Sequence, residues 1–146
     1  MSQLGESLRV ALADTFAFYL KTHNFHWNVE GADFYEYHKL FQKIYEEVFE
    51  AVDKIGEEIR SLDEYAPGSF IRFKELTTID DATTIPTGLE MVHILYEDND
   101  KVIKSLHNAY DMAERAKAIG LSNFLQDRID KHFKHGWMLR ATLKNR

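Results

Sequence analysis

Three histidines fall within sixteen residues of this chain, at His23, His26 and His38. Two further pairs stand four residues apart: His38 with Gln42, and Asp53 with Glu57. Imidazole nitrogen and carboxylate oxygen are donors that first-row metal ions accept. Residues four apart on a helix share a face, so each pair could converge on one ion. The chain has no cysteine, which excludes thiolate metal sites and disulfides.

On a helical wheel at about 100° per residue, Gln42, Phe49, Asp53 and Glu57 form a face near His38 and beside the apolar stripe. The pairs cannot meet on one ion within that helix. His38 and Asp53 are fifteen residues apart, a rise of about 22 Å, against metal–ligand bonds of about 2 Å. Two readings remain. The pairs are unrelated carboxylates and amides on a solvated face, or an antiparallel copy of the helix sets His38 of one subunit beside Asp53 and Glu57 of another. The second makes the metal site a property of a two-fold dimer, with Tyr45 and Phe49 helping to bury it.

Other residues of the same types carry less. His23 sits near a helix end and is expected to face solvent. Glu90 with His93 matches E-x-x-H, but di-iron bundles need that motif twice, and Glu90 has a local use as a capping residue. His132 and His135, beside Lys131 and Lys134, read as surface or packing residues. Trp27 reads as a core or interface anchor that could also donate electrons near a metal.

These residues need a scaffold. The 146 residues suffice for one domain, 1–146, with a full core. Only Pro67 and Pro86 interrupt the chain, and they bracket a connector at 63–87. Long helices are expected at about 5–28, 33–62, 87–119 and 122–143, with a short helix near 70–76. The first carries Leu8, Leu12, Phe16, Tyr19 and Leu20 at spacings of three and four. The second carries a stripe from Tyr37 through Phe41, Ile44, Val48, Val52, Ile55 and Ile59 to Leu62. Asp33 with Glu36, and Thr87 with Glu90, are capping-box candidates, and Gly120 is a candidate helix stop. The expectation is an all-α four-helix bundle with a long connector between helices two and three.

A net charge of −6 argues against coating DNA or anionic membrane and suits attraction of cations. No apolar run is long enough to span a membrane. The N-terminal residues lack a signal-peptide pattern, and the expected location is the cytoplasm.

The stretch H-W-N-V-x-G-x-x-F-x-x-x-H, from His26 to His38, resembles the Dps-like miniferritins (DNA-binding proteins from starved cells). Asp53-Lys-Ile-Gly-Glu57 resembles the family's D-x-x-x-E ligand pair, and Trp137-Met-Leu-Arg-Ala141 the end of its fourth helix. The resemblance implies a ferritin-like bundle assembled as a hollow twelve-subunit shell. It implies a ferroxidase that oxidises Fe(II), preferably with hydrogen peroxide, stores iron and protects against oxidative damage. His26 and His38 would come from one subunit, Asp53 and Glu57 from its partner. Iron is the one cofactor implied, with no organic cofactor. It also implies acidic pores, for which Asp127 and Asp130 are candidates.

One position departs from the family. Gln42 stands where an aspartate is common, and a neutral amide carbonyl is a poorer donor to a hard ion than a carboxylate. Asp53, Glu57 and His26 are expected to form the stronger iron site. The second, leaning on His38 and Gln42, is expected to be weaker, with slower oxidation. The alternative is a structural or DNA-shielding shell with impaired ferroxidase activity; a third possibility is a divalent-metal buffer. The family's DNA binding often uses a Lys-rich tail. The first twenty residues here hold only Arg9, so DNA binding is expected to be weak or absent.

Overall fold

The computed structural model describes residues 2–144. Among them are five helices and no strand: α1 (Gln3–Asn28), α2 (Phe34–Ser61), α3 (Phe70–Leu76), α4 (Gly88–Arg115) and α5 (Ile119–Thr142). The four long helices form the bundle, and α3 lies in the connector between α2 and α4.

α2 shows most directly why the sequence folds this way. Tyr37, Phe41, Ile44, Val48, Ile55 and Ile59 recur at helical spacing and are all buried. Each such side chain contributes about 1.5–3 kcal/mol on burial. Against them pack Phe18 and Phe25 of α1, Met91, Leu95 and Leu106 of α4, and Leu125 and Leu139 of α5. α1 fits its expected stripe less well. Leu8 and Leu12 are buried, but Leu20 is 40% exposed. The inward face of α1 includes polar groups instead. Lys21 bonds Asp98 of α4 at 2.7 Å in a buried ion pair.

Short turns join α1 to α2 and α4 to α5, which makes each pair antiparallel neighbours. Gly31, at φ +112°, takes the left-handed conformation in the first turn. The other link is a crossover. Gly88, which opens α4, lies so close to Tyr37 and Val29 that an added Cβ would come within 2.9 Å of the Tyr37 ring. α4 therefore starts at the end of the bundle where α2 starts, and the connector travels back along its length. Asp14 of α1 pins it on the way. Its carboxylate accepts from the Thr77 hydroxyl at 2.7 Å, the Thr78 amide at 2.6 Å and the Thr78 hydroxyl at 2.9 Å. Phe73 of α3 stacks on Phe16 with ring centroids 4.8 Å apart.

The helix ends correct three expectations. Thr87 and Glu90 do form a capping box, whereas the Asp33 side chain makes no cap hydrogen bond to α2. The third long helix ends at Arg115 rather than near 119. Gly120 does not stop it, but lies in the first turn of α5. Lys117 takes the left-handed conformation instead, at φ +57°. The Ala118 amide reaches back to the Ala113 carbonyl at 2.9 Å, closing a Schellman-type turn.

Candidate metal centre

His26 lies in the last turn of α1 and His38 near the start of α2, on either side of the tight turn. Antiparallel packing lays one ring on the other, with centroids 3.8 Å apart and planes 14° from parallel. His26 Nδ1 is 2.8 Å from the His38 carbonyl oxygen, and His38 Nδ1 is 2.8 Å from the His26 carbonyl oxygen. A carbonyl only accepts, so each Nδ1 carries the hydrogen and donates it. The lone pair of each neutral ring then lies on Nε2, the form in which imidazole binds a metal. Hydrogen bonds of this kind set ring orientation and tautomer at metal sites. His26 is buried, and His38 is half-buried against the Phe34 ring at 4.9 Å.

Gln42 is one turn further along α2. Its Nε2 donates to Glu46 Oε1 at 2.8 Å. Asp53 and Glu57 are exposed on α2, about 22 Å along the axis from His38 to Asp53. The fold thus brings His26 and His38 together and leaves the two carboxylates remote within one subunit. Among the described residues, no group of three His, Asp or Glu side chains could hold a metal ion.

The surroundings are aromatic. The His23 ring lies between Trp27 and Tyr45, at 3.9 Å from each. It does not simply face solvent, and burial pushes its pKa below the ordinary histidine value, with His26 adding to the shift. Trp27 is 61% exposed and is no core anchor. Glu90 and His93 are both exposed; the Glu90 carboxylate accepts from the Thr87 amide at 3.1 Å, the capping role expected of it.

A second cluster lies inside the bundle, where His132 and His135 are buried rather than on the surface. Arg128 Nη1 donates to Glu47 Oε2, and Arg128 Nη2 to Glu47 Oε1 at 3.1 Å. His135 Nε2 donates to Glu47 Oε1 at 2.8 Å. Arg128 Nη2 also donates to His132 Nε2 at 3.1 Å, which leaves His132 Nδ1 to donate to Asn99 Oδ1 at 2.8 Å. Burial opposes ionisation of Glu47, but hydrogen bonds from His135 and Arg128 outweigh it and hold its pKa down to about 2. Burial, with Arg128 beside it, pushes His132 well below the ordinary histidine value. Both Glu47 oxygens are engaged by protein groups, so the cluster ties α2, α4 and α5 together. Spacing could have revealed its inward face: Leu121, Leu125, Arg128, His132, His135 and Leu139 recur every three or four residues. Lys131 and Lys134 belong to the outer face.

Comparison with known proteins agrees with this architecture. Residues 6–146 match the ferritin-like domain family. "DNA protection during starvation protein 2" of Bacillus anthracis is 29% identical over 97% of this chain and 97% of its own length. "DNA protection during starvation protein" of Brevibacillus brevis is 31% identical over 91% of this chain and 89% of its own. Among solved structures, a Dps protein from Bacillus brevis superposes with TM-score 0.92 at 28% identity, over 99% of this chain and 100% of that one. A Dps protein from Vibrio cholerae, described as a member of a broad superfamily of ferritin-like diiron-carboxylate proteins, gives TM-score 0.92 at 27% identity, covering 97% and 89%. The chain belongs to the ferritin-like family, and within it to the Dps-like miniferritins.

Proposed function

We propose that this protein oxidises Fe(II) with hydrogen peroxide at sites shared between two subunits, stores the ferric product in a closed shell and so limits oxidative damage. The observation that carries this reading is the reciprocal clamp of His26 and His38. Each Nδ1 is tied to a carbonyl, so two neighbouring imidazoles offer their remaining nitrogens as ligands. They lack a carboxylate, and Asp53 and Glu57 lack an imidazole. An antiparallel α2 pair supplies both. With its two-fold axis level with Glu47 and Val48, one register sets His38 opposite Glu57 and Gln42 opposite Asp53.

Exposed apolar side chains support such a pairing. Phe49 lies on this face of α2, and Leu20, Trp27 and Phe70 line a groove of about 710 Å³ between α1 and the connector. Solvent-facing aromatics of this size favour burial against a partner. Twelve subunits is the assembly the family suggests. Among the described residues no helix is long and apolar enough to cross a membrane; a cytoplasmic location is part of the proposal.

Iron here is substrate and cargo. Imidazoles and carboxylates position Fe(II), and the anionic oxygens favour Fe(III), which promotes electron loss to peroxide. Binding and shielding of the reacting ion are the protein's contribution.

A shell with little oxidase activity is the second reading, favoured by Gln42, whose amide is already bonded to Glu46. Arg9 of α1 is buried and bonded to Glu64 at 3.1 Å, so DNA binding through this residue is expected to be weak. Titration of Fe(II) with peroxide separates the two readings. Oxidation should be clearly faster than in a His26→Ala, Asp53→Asn, Glu57→Gln variant; equal rates would remove the enzyme reading and leave the shell.

A further inference from the structure

Tyr19 and His23 stand one turn apart on α1, with the phenol oxygen 2.9 Å from His23 Nδ1. The His23 ring stacks on Tyr45 at 3.9 Å and 11°. Tyr45 in turn meets the His26 ring edge-on at 5.1 Å and the Tyr19 ring at 6.1 Å. Closely spaced aromatic rings therefore connect the proposed iron ligand His26, through Tyr45, to a phenol hydrogen-bonded to a base.

Hydrogen peroxide takes two electrons on reduction to water, and one Fe(II) gives one. Where Gln42 weakens the second iron site, peroxide meets a single Fe(II), and the missing electron leaves a hydroxyl radical unless another donor supplies it. We infer that Tyr19, with His23 as its proton acceptor, supplies this second electron by way of Tyr45. The inference rests on the iron-oxidising reading above. The Tyr19 O–H bond breaks; its proton goes to His23 Nδ1 and its electron goes to peroxide. In balance, Fe(II), the phenol, His23, hydrogen peroxide and two solvent protons give Fe(III), a tyrosyl radical, protonated His23 and two waters.

The choice of Tyr19 follows from its hydroxyl. A phenol that loses an electron becomes a strong acid, and the loss is eased when a base already holds the proton. Tyr19 has that base: with the hydrogen of the neutral ring on Nε2, His23 Nδ1 accepts from the phenol. Trp27, on the far side of His23, is largely exposed.

The test uses the assembled full-length protein, loaded with one Fe(II) per subunit and mixed with peroxide. Freeze-quench EPR reads the protein radical, a spin trap reads hydroxyl radical, and absorbance reads Fe(III). The expected result is a tyrosyl signal, narrowed by ring-deuterated tyrosine. Tyr19→Phe should abolish it and raise the spin-trap yield while Fe(II) oxidation continues. His23→Leu, which keeps Tyr19, should strongly reduce the signal. A signal that survives Tyr19→Phe, or Fe(II) oxidation with no protein radical, overturns the inference alone. Wild-type oxidation no faster than in the His26, Asp53, Glu57 variant overturns the parent reading and this one with it.

Discussion

Gln42 donates its amide to Glu46 across 2.8 Å, one turn along the exposed side of α2. With the amide nitrogen engaged, a metal could draw only on the carbonyl oxygen, a neutral donor. Gln42→Asp should therefore strengthen the second iron site. Titration of Fe(II) in the presence of peroxide should show more ions oxidised rapidly per subunit, with a rate rise of about tenfold, equivalent to roughly 1.4 kcal/mol. An unchanged stoichiometry and rate would mean that Gln42 does not limit the site.

Removing one ring of the stacked pair should act twice. His38→Ala deletes a proposed ligand and the hydrogen bond its Nδ1 makes to the His26 carbonyl. Fe(II) oxidation should fall at least about tenfold, and unfolding free energy by about 1 kcal/mol. His93→Ala, at an exposed histidine outside the pair, should change neither quantity. Stopped-flow absorbance and urea denaturation check the two effects.

The buried cluster should make the protein acid-sensitive in two stages. His132 has its pKa lowered from 6.5 in the fold, so the unfolded chain binds its proton first. Stability is present above pH 6.5 and declines as pH falls below it. Glu47 is depressed from 4.5 to about 2, so its contribution is present above pH 4.5 and is lost as pH drops toward 2. That contribution is on the order of 2 kcal/mol after allowance for partial exposure. Denaturation midpoints measured from pH 7 to pH 3 should fall throughout. His132→Gln should flatten the first stage only.

How much of this was legible in the sequence depended on the range of the interaction. The α2 stripe was readable because neighbours on one helix report the buried face directly. The paired capping residues Thr87 and Glu90 were readable for the same reason. The His26–His38 clamp was readable only as two nearby histidines, since their mutual bonds need the antiparallel turn. The Glu47 cluster was hidden, because Arg128 and His135 lie 81 and 88 residues from Glu47 and the lysine neighbours of His132 and His135 left surface and packing roles both open. α1 also misled: its inward face includes the buried pair of Lys21 with Asp98, which an apolar count passes over. The left-handed residue at Lys117 had no signal, as glycine is the usual choice and Gly120 stood three residues away.

That turn offers a simple gain. Lys117 holds φ +57°, where a β-carbon is crowded and glycine is not. Lys117→Gly should raise stability by about 0.5–1 kcal/mol, after the entropy cost of glycine in the unfolded chain. Thermal melts should show the increase, with iron oxidation unchanged.

Anomalous diffraction from crystals soaked in Fe(II), recorded on both sides of the iron edge, tests the shared site most directly. If two subunits build it together, the iron peak lies between His26 and His38 of one subunit and Asp53 and Glu57 of its neighbour, within about 2.3 Å of the donor atoms. A peak bound wholly within one subunit, or none at that interface while the protein still oxidises iron, would contradict it.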